Sequence, residues 1–159
     1  MSSDGTLDSP GITLPPPLVY VAGIVLGWIV QRGRPLPIFD PHSRLRAPLA
    51  LLFGLGWLLF FGAAFTSFAR SRTTLIPNRP ARALVTTGIY SVTRNPMYVS
   101  LALLYLAVAM VLDSWWIVLL LPLVLLVIGR WVIAREERYL ARAFPHDYDE
   151  YRRRVRRWL

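Results

Sequence analysis

Apolar residues gather into four runs, 18–30, 47–68, 97–112 and 115–134, separated by polar or proline-rich stretches. At 1.5 Å per helical residue, about 20 apolar residues cross the hydrocarbon layer of a bilayer. The second run meets that length. The first is short for a span unless the neighbouring prolines and Gln31 sit at headgroup level. Asp113-Ser114 separates the third and fourth runs and predicts a tight antiparallel helical hairpin. Pro122 predicts a kink in the fourth helix, and Trp115 and Trp116 suit a membrane–water interface. The fold expected is all-α: an integral membrane bundle of about four transmembrane helices, with a C-terminal amphipathic helix. Residues 1–17 read as a disordered tail, 18–70 as the N-terminal membrane helices and 71–159 as the core that carries the chemistry.

Beyond Ala134 the helical pattern continues over 135–144 until Pro145 interrupts it. Asp147-Tyr148-Asp149-Glu150 predicts a new helix, with Asp147 as its cap and Glu150 three residues on. Tyr148, Tyr151, Val155 and Trp158 would share one face, with Arg152, Arg153, Arg156 and Arg157 largely elsewhere. This is the pattern of a helix lying on a membrane; a lid over a lipid-facing site is the sharper alternative.

Composition narrows the function classes. The 159 residues are 55% hydrophobic and contain no cysteine, which excludes disulfides, thiolate metal sites and a cysteine nucleophile. The formal net charge is +9, and every basic residue is arginine. These arginines lie beside apolar runs, which points to anionic lipid headgroups rather than nucleic acid. Residues 1–17 are acidic and proline-rich, unlike the basic start of a secretory signal. The arginines of the central loop and C-terminal region predict a cytoplasmic placement for both, and hence a multi-pass protein of the inner (plasma) membrane whose site faces the cytoplasm. Arg32, Arg34, Arg44 and Arg46 in the first loop run against that count.

Polar chemistry concentrates in the run Gly88-Ile89-Tyr90-Ser91-Val92-Thr93-Arg94-Asn95-Pro96-Met97-Tyr98. Asn95 and Pro96 form a cap and first position for the third helix. The free N–H groups of a helix start suit a carboxylate or phosphate, and Arg94 would add a bidentate clamp or contact a lipid phosphate. Tyr98 is either an interfacial tyrosine or a ring set against a cationic ligand. Glu136 and Glu137 have no arginine three or four residues away, so each needs a partner from outside its own helix. Arg94 is one such partner and a bound ligand another. Helical rise across the hairpin sets Asn95 opposite about residue 132, with Glu136 roughly one turn further out, so the two clusters should share a pocket. Other signals are weaker. Gly54-x-Gly56 reads as helix packing, Asp113 as a turn residue, and the isolated His42 and His146 predict no metal site.

Leu84-Val85-Thr86-Thr87-Gly88-Ile89-Tyr90, then Arg94-Asn95-Pro96-Met97-Tyr98, Glu136-Glu137 and Phe144-x3-Tyr148-x2-Tyr151 together resemble the isoprenylcysteine carboxyl methyltransferase-like family, within the wider phospholipid methyltransferase group. The resemblance runs from about Thr73 to Trp158, and residues 1–70 are similar only in being apolar. It implies S-adenosylmethionine as methyl donor, bound among helices near the cytosolic face. Its cofactor contacts would fall on Arg82, Ala83, Leu84, Val85, Tyr90, Asn95, Pro96, Met97, Tyr98 and Glu136. Related phospholipid enzymes add Glu137. Arg94, supporting the methionine carboxylate, and Glu137 are the candidate catalytic residues, and an amine or thiol acceptor would lose its proton to Glu136 or Glu137. The eukaryotic prenylcysteine enzymes have His in place of Asn95 and a substrate-binding Arg in place of Val132. These two departures argue against prenylcysteine and leave the acceptor open: a lipophilic small molecule with a carboxylate, thiol or amine. The alternatives are phospholipid N-methylation, a non-catalytic lipid- or protein-binding protein of the same fold and, more remotely, a nicotinamide-dependent membrane reductase.

Overall fold

A computed structural model describes residues 15–70 and 84–159. The expected N-terminal tail to residue 14, and Arg72, Arg79, Arg82 and Ala83 of the central loop, lie outside the described residues.

The four apolar runs become four long helices. Helix α1 is Pro16–Gly33, α2 is Arg46–Arg70 and α3 is Pro96–Leu112, preceded by a 3-10 turn at Gly88–Ser91. Helix α4, Trp115–Val127, runs through a π-helical segment, Ile128–Ile133, into α5, Ala134–Ala143, and α6 is Pro145–Arg154. Among the described residues there is no strand, only an isolated bridge between Thr93 and Arg156. Two helices are long and apolar enough to cross a membrane, Arg46–Arg70 and the continuous Trp115–Ala143. Helix α3 is apolar but shorter.

These helices bury little of themselves. Only 6% of the apolar window of α2 is buried, and 28% of that of the Trp115–Ala143 helix. Leu51, Leu52, Leu58 and Leu59 on α2, and Leu119, Leu123 and Leu126 on α4, are exposed. In water such a surface would drive aggregation; against acyl chains it is matched. The packed interior lies where α3 runs along α2 and α4 along α1. Tyr105, Ile117, Ile128 and Ile133 are almost wholly enclosed there.

Close approach of α1 to α4 depends on two glycines. A Cβ on Gly23 would stand 2.6 Å from Val124 Cγ2, and one on Gly27 2.9 Å from Ile117 Cα. This spacing of four lets the two backbones nearly touch. The Gly54-x-Gly56 pair is less than was expected of it. Gly56 meets Leu103, while Gly54 faces open space.

The α3–α4 hairpin forms as expected, with Asp113 in the left-handed region at φ 51°. Its role exceeds that of a turn residue. Asp113 Oδ1 accepts from the backbone N–H of Ile38 at 2.8 Å and of Phe39 at 3.0 Å. Its carbonyl accepts from Gln31 Nε2 at 3.2 Å. One turn thereby pins the α1–α2 loop. Two first-loop arginines have local roles there: Arg46 Nη2 donates to Val111 O at the end of α3, and Arg32 sits 4.7 Å from the Trp28 ring centroid.

The C-terminal region departs from expectation. Helix α6 starts at Pro145, so Asp147 lies inside its first turn instead of capping it. It ends at Arg154, and Val155 is extended. Trp158 is therefore not on the helix. The Tyr148–Tyr151 face packs on the protein, against Ala64, Val85 and Tyr90, and is not left free for a membrane surface. The π segment was not anticipated either. Helix α4 continues past Pro122 and widens only after Val127. A π turn takes one extra residue and so turns everything after it by about 100°.

Candidate functional site

The site forms where the start of α3, the start of α5 and the C-terminal tail converge. Tyr98, in the first turn of α3, donates its hydroxyl to Glu136 Oε1 at 2.7 Å. The carbonyl of Tyr98 in turn accepts from Tyr20 Oη at 3.0 Å. A buried tyrosine on α1 thus fixes the backbone that aims Tyr98 at the carboxylate. Glu136 finds the outside partner that its apolar helical neighbours required.

Glu137, one residue on, points to a different set of groups. Its Oε1 lies 3.1 Å from Arg94 Nη1 and accepts from Arg157 Nε at 3.0 Å. Its Oε2 pairs with Arg157 Nη2. The Arg94 and Glu137 side chains are only 14% and 18% exposed, so this ion pair is poorly screened. Arg94 Nη1 also donates to Tyr148 Oη at 3.1 Å. Arg94 Nε is buried with no hydrogen-bond partner. A buried cationic N–H left open costs free energy and is matched by an anionic or polar ligand atom.

Asn95 precedes Pro96 at the helix start, as expected, but its side chain does not cap the helix. Asn95 Nδ2 instead donates to the carbonyl of Arg157 at 2.9 Å, and Thr93 Oγ1 donates to the same oxygen at 3.1 Å. The Arg94 N–H donates to the carbonyl of Arg156 at 2.9 Å. The tail after α6 therefore lies across the mouth of α3.

Aromatic residues wall the other side. Tyr90 is buried, its ring edge-on to Phe68 at 5.3 Å between centroids, and its carbonyl accepts from Tyr151 Oη at 2.7 Å. Burial pushes the Tyr90 phenol far above its ordinary range, with the charges of Tyr151 and Glu136 adding to the effect. Tyr90 thus stays a neutral hydroxyl within the field of Glu136. Leu84, Val85 and Met97 pack with Tyr90, Tyr148 and Tyr151 in one cluster. The hydrogen bonds to Glu137 raise the Arg157 guanidinium above its ordinary range, against the opposing effect of burial, with the charges of Glu137 and Tyr148 adding to them.

The residues singled out from sequence thus divide in two. Tyr98 and Glu136, with Tyr90 beside them, form one group. Arg94, Asn95 and Glu137 form a second, gathered around Arg157. Val132 is buried one turn before Glu136, whereas Arg130 is exposed. Arg157, Thr93 and Tyr20 were missed. Each acts at long range in sequence, with no local spacing to mark it. Among the described residues, no group of three His, Asp or Glu side chains is placed to hold a metal ion.

The family model described as phospholipid methyltransferase matches residues 49–147. That segment takes in nearly all of α2 and continues through α5, so similarity extends further toward the N-terminus than the motifs implied. It holds the Arg94–Tyr98 run and both glutamates but stops short of Tyr148 and the tail. A relative from Cupriavidus metallidurans, described as cobalt-zinc-cadmium resistance protein CzcN, is 34% identical over 110 residues, covering 69% of this chain and 48% of that protein. The chain therefore spans about half the length of that relative. Protein-S-isoprenylcysteine O-methyltransferase of Schizosaccharomyces pombe is 39% identical over 72 residues, covering 45% of this chain and 30% of that enzyme. A shorter, uncharacterized protein of Haemophilus influenzae is 43% identical over 63 residues, 40% of this chain and all of its own length. No solved structure matches. With more than half of its length matched and the shared segment spanning the Tyr98–Glu136 pair, the chain belongs to the phospholipid methyltransferase family, in its isoprenylcysteine methyltransferase-like group.

Proposed function

We propose that this protein is a membrane methyltransferase that uses S-adenosylmethionine to methylate a lipophilic small molecule. The observation that carries the proposal is the Tyr98–Glu136 pair beside Tyr90, next to an arginine whose buried Nε has no partner. S-adenosylmethionine, when bound, supplies an activated methyl group on a sulfonium. The residues present fit that donor. Arg94 Nε suits its carboxylate, Glu136 suits its cationic and hydroxyl groups, and the rings of Tyr90 and Tyr98 suit its sulfonium and base.

The protein's part in the reaction is placement and electrostatics. Methyl transfer needs the acceptor held in line and close, with water kept away. Tyr98 orients Glu136, and the buried Tyr90 ring, set against the partly buried Phe68, excludes water from one flank. A carboxylate or thiolate acceptor needs no base. An amine or thiol must lose a proton, and Glu136 is the better placed carboxylate to take it, because Glu137 is committed to Arg94 and Arg157. Glu137 and Arg157 then act as positioning residues that hold Arg94. A phospholipid amine is the second acceptor class, favoured by the family matched over residues 49–147. The arginine-rich end of α5, α6 and the tail supports a cytoplasmic site at the inner membrane.

The test is binding of S-adenosylmethionine to the purified protein in detergent. Wild-type protein should bind and Glu136→Ala should not, with unchanged helix content. Absence of binding by folded wild type would favour a non-catalytic role, and full binding by the variant would remove Glu136 from the site. Labelled donor incubated with a membrane lipid extract and with prenylated thiols then sorts the acceptors. Label in phosphatidylethanolamine derivatives would select the phospholipid reading.

A further inference from the structure

Helix α1 turns one face to the rest of the protein. Tyr20, Gly23, Gly27 and Gln31 follow one another at helical spacings of three and four, which sets them along that face. Leu18, Val21, Val25, Leu26 and Ile29 on its other faces are exposed. Each residue of the inward face meets the α3–α4 hairpin at a different height. At the closed end Gln31 donates to the Asp113 carbonyl at 3.2 Å and accepts from Ser114 Oγ at 3.2 Å. Gly27 and Gly23 then bring the α1 backbone against Ile117 and Val124. At the open end Tyr20, 3% exposed, donates to the Tyr98 carbonyl at 3.0 Å, its ring edge-on to Tyr105 at 6.2 Å between centroids. Helix α1 is a brace laid along the hairpin, from its turn to the Tyr98–Glu136 pair at its mouth.

The bond from Tyr20 lands where α3 is least held by its own winding. Tyr98 is the third residue of α3, in a first turn, and helix ends fray. Its carbonyl has two lone pairs, one for the helical bond from the N–H four residues on and one for Tyr20. The Tyr98 hydroxyl stands at the far end of a long side chain. A small rotation of this turn therefore moves it far enough to break the 2.7 Å hydrogen bond to Glu136. The phospholipid methyltransferase match begins at residue 49, after α1 has ended, so the brace comes from outside the matched segment.

We infer that Tyr20 is a positioning residue for the proposed methyl transfer. It touches no reacting atom. It holds the Tyr98 backbone so that the Tyr98 hydroxyl keeps Glu136 oriented, and α1 is thereby a working part of the site as well as an anchor. The inference rests on the methyltransferase reading for its consequence and on the Tyr20–Tyr98–Glu136 chain of hydrogen bonds for its geometry. Tyr105 is the matched comparison. It lies in the same buried cluster and donates Oη to the Ile117 carbonyl at 2.8 Å, a bond between α3 and α4 that does not involve Tyr98 or Glu136.

Tyr20→Phe keeps the ring and removes only the donor. Calorimetry in detergent should show S-adenosylmethionine affinity lowered by about threefold to tenfold, the worth of one neutral hydrogen bond. In a Tyr98→Phe background the same substitution should change affinity by less than about twofold, because Tyr98 is the residue through which it acts. Tyr105→Phe should lower thermal stability as Tyr20→Phe does, yet leave affinity within about twofold of wild type. Unchanged affinity in Tyr20→Phe would overturn the assignment, as would an equal loss in the Tyr98→Phe background or in Tyr105→Phe. Hydrogen exchange of the amides at 98–102, measured without donor, keeps this inference apart from the methyltransferase reading. Tyr20→Phe should speed exchange there by about threefold to tenfold. Wild-type protein that binds no donor, with this speed-up in the variant, would remove the methyltransferase reading and leave Tyr20 as the hold on the turn. Unchanged exchange would overturn Tyr20 whatever the donor does.

Discussion

Tyr98 and Glu136 are 38 residues apart in sequence, yet the tyrosine hydroxyl donates to the carboxylate at 2.7 Å. The bond joins the first turn of α3 to the first turn of α5 across the hairpin. With the Arg94–Glu137 ion pair, it is one of two points at which the 88–98 run meets the two glutamates.

Replacing Tyr98 by Phe keeps the ring and removes only this donor. A hydrogen bond to a charged group is worth about 1.5–3 kcal/mol. Tyr98→Phe should therefore weaken S-adenosylmethionine binding by about tenfold to a hundredfold, with the helical circular dichroism signal unchanged. Calorimetry in detergent measures this. Affinity equal to wild type would show that Glu136 needs no such orientation.

The Arg157–Glu137 pair ties the tail to α5 beneath Arg94. Arg157 is 42% exposed at its side chain, so salt weakens the pair. A double-mutant cycle of Arg157→Gln and Glu137→Gln, read by thermal unfolding at low salt, should give a coupling of about 0.5–2 kcal/mol that shrinks at high salt. Additive effects would mean that the tail is held by its backbone bonds to Thr93, Arg94 and Asn95 alone.

Three glycines on α1 and α2 should respond differently to alanine. The new Cβ at Gly27 meets the backbone of Ile117, which cannot move aside as a side chain can. Gly27→Ala should cost about 1–3 kcal/mol. Gly23→Ala meets Val124 Cγ2, a side-chain atom, and should cost less. Gly54→Ala enters open space and should be neutral or stabilising. Thermal unfolding in one detergent ranks the three. Equal stability of all three variants would mean that α1 and α4 are not closely packed.

Much of the fold is legible in the apolar runs, because a span must be long, apolar and helical. The hairpin at Asp113-Ser114 and the helix start at Pro96 follow from local turn and cap chemistry. The hydrogen bonds that Asp113 accepts from Ile38 and Phe39 do not, since a carboxylate's partners are set by tertiary packing. The same holds for the tail. Tyr148, Tyr151 and Val155 share an apolar pattern whether they face lipid or protein, and only Tyr90 and Ala64 decide between the two. Asn95 shows the limit most sharply. Its residue type predicts a cap, and the structure spends its amide on Arg157 instead.

The π segment at Ile128–Ile133 gives the long helix from Trp115 to Ala143 two independent phases. The residues before it are set by where lipid and α1 lie, and those after it by where Tyr98 and Arg94 lie. The outward face of α4 can exchange one apolar residue for another without turning Glu136 or Glu137. Closing the segment to α-helical winding with all its residues kept would swing both glutamates about 100° away from their partners, whereas losing one residue as it closes would leave them in phase.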